Sequence, residues 1–334
     1  MHLSHFLIYV ARLLPLSTAI AILNCQRQSL RLVPKAPYEP LMSQLGKLIA
    51  VLALSVLAQS STADTGFSGE NALQHIANQI TYGPRSPDNL SSKQHTLNYI
   101  KEALMPLTDS LVVQPFHYRK MHGNNLWATV QGTGEQATSE RIMIGAHWDT
   151  RPLRGKDKHS VNLGANDGAS GVAVLLELAR VLSESPPKVS VDLLFFDLED
   201  MGNINGLPFA IGSRQFVEAN ANYQPSAGII VDMVCDKSLS ILRERHSQKR
   251  AKSLNNQIWR IANEQQATAF KERKGIFIND DHLPFLDAGI PVIDLIHYPF
   301  PRYWHTSKDG IENCSAKSLG QVGDVITAFI YSKT

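Results

Sequence analysis

Cysteine is scarce in this chain. Only Cys25, Cys235 and Cys314 occur among 334 residues, and no two of them form a CxxC pair. That argues against a cysteine-ligated metal and against a disulfide framework. The default expectation for Cys235 and Cys314 is two buried free thiols, with pairing left open if the chain is exported. Charge of one sign is also lacking. A net charge of +2 gives no reason to expect nucleic acid or an acidic surface as partner. The basic runs 243–250 and 271–274 read as solvated faces. Internal repeats and low-complexity tracts are absent, which excludes solenoid and linker architectures.

The N-terminus carries two apolar segments. One covers 6–23 and is broken by Arg12 and Pro15. The other follows Met42, with Lys47 as a basic flank, an apolar run over 48–58, and small residues at Ser61 and Ala63. A basic flank, a run of that length and small residues make a secretory signal, and the run is short for a membrane span. The expectation is translation from Met42, cleavage near Ala63, a leader over 1–63 and one domain over 64–334. The protein would then be periplasmic or secreted, with an uncleaved membrane anchor as the alternative.

Along the rest of the chain, apolar spacing predicts helices over 68–81 and 91–105 and paired strands over 111–118 and 125–131. Continuous apolar runs at 141–146, 189–196, 228–234 and 290–296 suit strands buried on both faces. Helices are predicted from Gly168 to about Leu182, over 253–265 with Trp259 in the core, and over 318–331. Buried strands alternating with helices indicate an α/β three-layer sandwich with a central mixed, mostly parallel sheet flanked by helices. In such sheets, sites form outside the carboxyl ends of the strands.

The strand ends are where the polar residues collect: His147, Asp149, Asp167, Glu199, Asp200, Asp232, Asp280, Asp281 and His305. A strand-end Asp is often a helix cap or turn former, and a lone His is often a satisfied core residue. Several carboxylates at one sheet edge, however, would repel unless a cation neutralised them. Catalytic zinc takes about three ligands from His, Asp or Glu and leaves a position open. A further carboxylate that is not a ligand then shuttles a proton.

GAHWDT, GANDGASGVAVLLELAR, FFDLED, GSRQF, the Asp of GIIVDMV and the WHT loop resemble the zinc aminopeptidase superfamily that uses co-catalytic metals. The resemblance covers about residues 83–331. Within it, DDHLPFLDAGIPVIDLI followed by PFPRYWHTSKDGIEN looks most like glutaminyl cyclases of the animal type and their bacterial relatives. The resemblance implies Asp167, Asp200 and His305 as ligands of one zinc, and Glu199 as general acid/base. It implies Asp232 and Asp280 as a carboxylate pair beside the substrate amine, and Trp304 and Phe300 as walls of a glutamine pocket. The substrates would be peptides or proteins with N-terminal glutamine. In the di-metal aminopeptidases, the positions of His147 and Asp232 bind a second zinc. Three positions depart from the animal cyclases: Asp200 stands where many relatives have Glu, the loop 201–211 lacks a tryptophan, and Asp294 replaces a histidine.

Overall fold

The computed structural model describes residues 66–135, 137, 140–153 and 159–333. The expected start at Met42 and cleavage near Ala63 lie outside the described residues.

Two strands explain the sheet. Strand β3 (Arg141–His147) is buried from its second residue onward, and β4 (Ser190–Phe196) along its whole length. Strands apolar on both faces take central places with parallel neighbours. They run side by side, parallel, with Ile142 opposite Val191 and His147 opposite Phe196. Beyond β3 lie β5 (Ala227–Asp232) and β8 (Val292–Ile296), also parallel. On the other side the hairpin of β1 (Ser110–Tyr118) and β2 (Met121–Val130) joins antiparallel to β4. The order is β1-β2-β4-β3-β5-β8, a mixed, mostly parallel sheet.

Side chains alternate across each strand, so each face feeds a separate layer. Ile142, Ile144, Leu193 and Phe195 belong to the larger cluster. It is completed by helices α1 (Gly69–Thr81), α2 (Leu90–Leu104) and α3 (Ala169–Glu184). Met143, Leu194 and Phe196 point the other way, to Phe216 on α4 (Ile211–Ala219). The larger layer is closed by α6 (Lys252–Glu264), which follows the short α5 (Arg245–Arg250) and carries the buried Trp259. The second layer is closed by α7 (His282–Asp287), with Phe285 facing Phe216. Last comes α8 (Ala316–Tyr331), which joins the larger layer.

Helix α3 can enter the sheet edge only through glycine. Gly168 has φ +94, and a Cβ there would sit 2.5 Å from the Asp149 carbonyl oxygen. One turn on, a Cβ at Gly171 would lie 2.2 Å from the Val231 carbonyl oxygen. The small face of GANDGASG thus brings Asp167 against the ends of β3 and β5.

Two expectations need correction. Cys235 and Cys314 are joined by a disulfide across 79 residues. The loop after β5 and the segment before α8 run together there, with Asp236 bridged to Cys314 and the Ser315 N–H donating to the Cys235 carbonyl. The run 243–250 is not simply a solvated face: Glu244 and Ser247 within it are buried. Arg243 closes β6 (Ile241–Arg243), which pairs with β7 (Phe270–Lys274) in a separate two-stranded sheet. The 271–274 side chains are exposed as expected, but on that strand.

Candidate metal centre and pocket

The carboxyl ends of β3, β4 and β5 deliver His147, the Glu199-Asp200 turn and Asp232 to one place. Asp167 arrives just before α3, and His305 from the loop after β8. Two overlapping groups result. Asp167, Asp200 and His305 each offer a ligand atom within 4.8 Å of the others, and so do His147, Asp167 and Asp232. His305 Nε2 lies 2.9 Å from Asp200 Oδ1 and 3.3 Å from Asp167 Oδ2. His147 Nε2 lies 3.1 Å from both Asp167 Oδ1 and Asp232 Oδ1.

The backbone is held in uncommon conformations to do this. Leu198 (φ 62), Met233 (φ 47) and His305 (φ 58) are left-handed non-glycine residues, and each is at or next to a site residue. Such conformations persist where surrounding contacts over-determine them. Asp309 accepts the backbone N–H groups of Asn166 at 2.8 Å and Asp167 at 2.9 Å. The buried Arg85 guanidinium donates to the carbonyls of Trp148, Leu163 and Gly164 beneath the same loop.

The donor set fits a zinc ion. Two carboxylates and an imidazole at one corner are its usual ligands. Asp167 Oδ2 and Asp200 Oδ2 are buried without a hydrogen-bond partner among the described residues, and such atoms are costly unless something pairs with them. Burial, then the charge of Asp167, pushes the Asp200 carboxyl up to about 6. Burial opposes a charge on His305, but Asp200 and Asp167 outweigh it and raise the imidazole to about 9. Both shifts report a negative field at this corner, which a bound cation would neutralise.

Beside this centre is a cavity of about 180 Å³ lined by Glu199, Asp232, Asp280, Ile278, Phe209, Phe300 and Trp304, with the metal-type residues at its floor. Phe300 stacks on Trp304 at 4.4 Å, and Trp304 on His305 at 3.8 Å. Glu199 makes none of the metal-type contacts. Burial, and next the charge of Asp280, holds its carboxyl well above the usual range. Asp280 is in turn raised to about 6 by burial and by Asp232.

The sequence pattern of Peptidase family M28 matches residues 125–330. The chain belongs to Peptidase family M28. It is 26% identical over 319 residues to a glutaminyl-peptide cyclotransferase of Boiga irregularis, covering 83% of this chain and 84% of that one. A glutaminyl cyclase structure from Bacteroides thetaiotaomicron, bound to N-acetylhistamine, superposes with a TM-score of 0.72 at 30% identity, over 80% of this chain and 99% of that one. A Zn-dependent exopeptidase from Parabacteroides distasonis superposes with a TM-score of 0.74 at 28% identity, over 80% and 99% of the two chains. This M28 enzyme therefore has the aminopeptidase-like fold and a site of zinc-binding type.

Of the strand-end residues singled out from sequence, the fold brings His147, Asp167, Glu199, Asp200, Asp232, Asp280 and His305 to the one site. Asp149 and Asp281 are turned away. Asp149 accepts the N–H groups of Glu199 and Asp200, and Asp281 accepts the Ser213 hydroxyl at 2.5 Å. Asp197, delivered with Glu199 by the same strand, is engaged by Lys93 at 2.6 Å. Sequence reasoning missed Arg85, Phe209, Ile278 and Glu244. Phe209 lies in the loop 201–211 and Ile278 just before Asp280, but neither was given a role.

Proposed function

We propose that this M28 enzyme is a zinc-dependent glutaminyl-peptide cyclotransferase, closing N-terminal glutamine to pyroglutamate with release of ammonia. The observation that carries the reading is Asp280. It is a buried carboxylate outside both metal-type groups that lines the pocket together with Asp232, whose charge adds to burial in raising its proton affinity. Such a pair gives an N-terminal amine a place to dock beside Glu199. The names of the cyclase relatives support the same assignment.

In this reading Asp167, Asp200 and His305 hold one zinc. The bound ion supplies Lewis-acid polarisation of the glutamine side-chain carbonyl. Asp232 and Asp280 hold the α-amine. Glu199, with its raised proton affinity, takes a proton from that amine as the nitrogen bonds to the side-chain carbonyl carbon. It then returns the proton to the amide nitrogen, and the carbon–nitrogen bond breaks to free ammonia. The attacking and attacked groups belong to one residue, so ring closure gains from proximity. Phe300 and Trp304 wall the glutamine side chain and exclude water that would compete.

A specific observation favours a second reading. His147, Asp167 and Asp232 form a complete second metal-type group sharing Asp167, as a di-zinc aminopeptidase requires. Product identity separates the two. A peptide with N-terminal glutamine should lose ammonia and keep its length, and one with N-terminal leucine should be unchanged. Shortening of the leucine peptide, with no ammonia from the glutamine peptide, establishes the aminopeptidase instead. Glu199→Gln should keep the metal and cost at least ~10²-fold in rate.

The substrates proposed are peptides and proteins with N-terminal glutamine, met outside the cytosol. A buried disulfide between Cys235 and Cys314 suits an oxidising compartment. Among the described residues no helix is long and apolar enough to cross a membrane. We place the mature chain as one domain following a leader over 1–63. N-terminal sequencing of protein from its host, expected to start near Asp64, tests this.

A further inference from the structure

Glu244 is buried inside a basic run and takes no part in the chemistry above. Its carboxylate is nonetheless surrounded by donors. Oε1 accepts the backbone N–H of His246 at 2.9 Å and of Ile278 at 3.1 Å. Oε2 accepts the Ser247 N–H at 2.6 Å and its hydroxyl at 2.8 Å, and lies 3.3 Å from His282 Nε2. The Ser247 hydroxyl oxygen also accepts the Asp294 N–H at 3.0 Å. One side chain therefore ties together the start of α5, strand β8, the pocket wall at Ile278, and the first turn of α7. Both His282 and Asp294 are fully buried behind Asp280 and have no hydrogen-bonded side-chain partner among the described residues. The His282 ring sits between two carboxylates, with Nε2 3.3 Å from Glu244 Oε2 and Nδ1 3.8 Å from Asp294 Oδ2.

Ile278 is the buried member of the wall 276–279, and its neighbours Ile276 and Phe277 are exposed at the pocket mouth. The Arg245 N–H donates to the Ile276 carbonyl and the Gly275 N–H to that of Arg243, while Phe277 packs on His246 and Arg245 and Ile278 on Met233 and Ile296. Both bonds lead back to the residues flanking Glu244. We propose that Glu244 is the positioning residue of the pocket, setting the wall against which the substrate side chain packs and the turn from which Asp280 projects. The proposal rests on the pocket being the substrate site assigned above, whichever of the two reactions runs there.

The test is the steady-state kinetics of Glu244→Gln on the zinc-loaded full chain, with amide hydrogen exchange read over 276–281. The amide keeps the size but sets an NH2 against backbone donors. KM should rise about tenfold or more with kcat held within about threefold, because binding surface is lost while Glu199 stays in place. Exchange should quicken at 276–281 more than elsewhere. Unchanged KM, or a fall in kcat alone as from fewer folded molecules, overturns the proposal. If the Gln variant does not fold, Glu244→Asp keeps the charge, withdraws it by one methylene, and is read by the same two outcomes. The wild type is run on both glutamine and leucine peptides. Turnover of leucine alone overturns the cyclase assignment, and Glu244 is then judged on the leucine peptide.

Discussion

One oxygen of Asp149 accepts the backbone N–H of Glu199 at 3.0 Å, and the other that of Asp200 at 3.3 Å. Two consecutive residues with different tasks are thus set by one carboxylate. The same carboxylate approaches His147, with Oδ1 3.4 Å from Nδ1. Asp149→Asn places an NH2 against one of these N–H donors. Partners of this kind typically matter by about 10–100-fold in metal affinity or activity. Both should fall by that order in the variant, measured by zinc titration and by rate, with the fold retained by circular dichroism.

Metal stoichiometry separates the two readings. Under the cyclase reading, elemental analysis should give one zinc per chain, lost in His305→Ala and kept in His147→Ala. Two zinc ions, with one lost in His147→Ala, would place Asp167 as a bridge and support the aminopeptidase.

The disulfide closes 79 residues between the loop that follows Asp232 and the segment after His305. In the chain-entropy account, a loop of that size stabilises by about 4.5 kcal/mol. The Cys235→Ser/Cys314→Ser variant should unfold at lower denaturant by that order. Wild type under strong reductant should match it, and thiol titration of the unreduced mature chain should find neither cysteine free.

Glu244 also sets an acid-side dependence. Burial works against its charge, but His282 and the N–H groups of Ser247 and His246 outweigh burial and hold the carboxyl at about 2. A depressed folded pKa contributes stability that is complete above the unfolded value of about 4.3 and is lost as pH falls through the folded value. The stability gap between wild type and Glu244→Gln should therefore be widest above about pH 5 and shrink toward pH 2. A gap that is constant over this range, in urea titrations, would remove the electrostatic part of this account.

The central strands were legible from sequence because burial on both faces leaves an uninterrupted apolar run. The run 141–146 needed only His147 added, and 189–196 only Val189 removed. The carboxylates and histidines at strand ends were legible too, because charged residues closing buried strands have few other places to go. Their division of labour was not. Asp149, Asp197 and Asp281 are the same residue type at the same kind of position as Asp167 and Asp200. Only backbone N–H groups, Lys93 and Ser213, brought close by the fold, turn those three away from the site. Elements α5, α7, β6 and β7 are short and stabilised by long-range contacts, so no local period announces them. Glu244 sits among arginines and lysines that do face solvent, and nothing in the order of residues tells that it points inward to Ile278 and His282. The pairing of Cys235 with Cys314 was equally hidden. Proximity across 79 residues is a property of the packed sheet and the loops it aligns, and the chain acquires it only when folded.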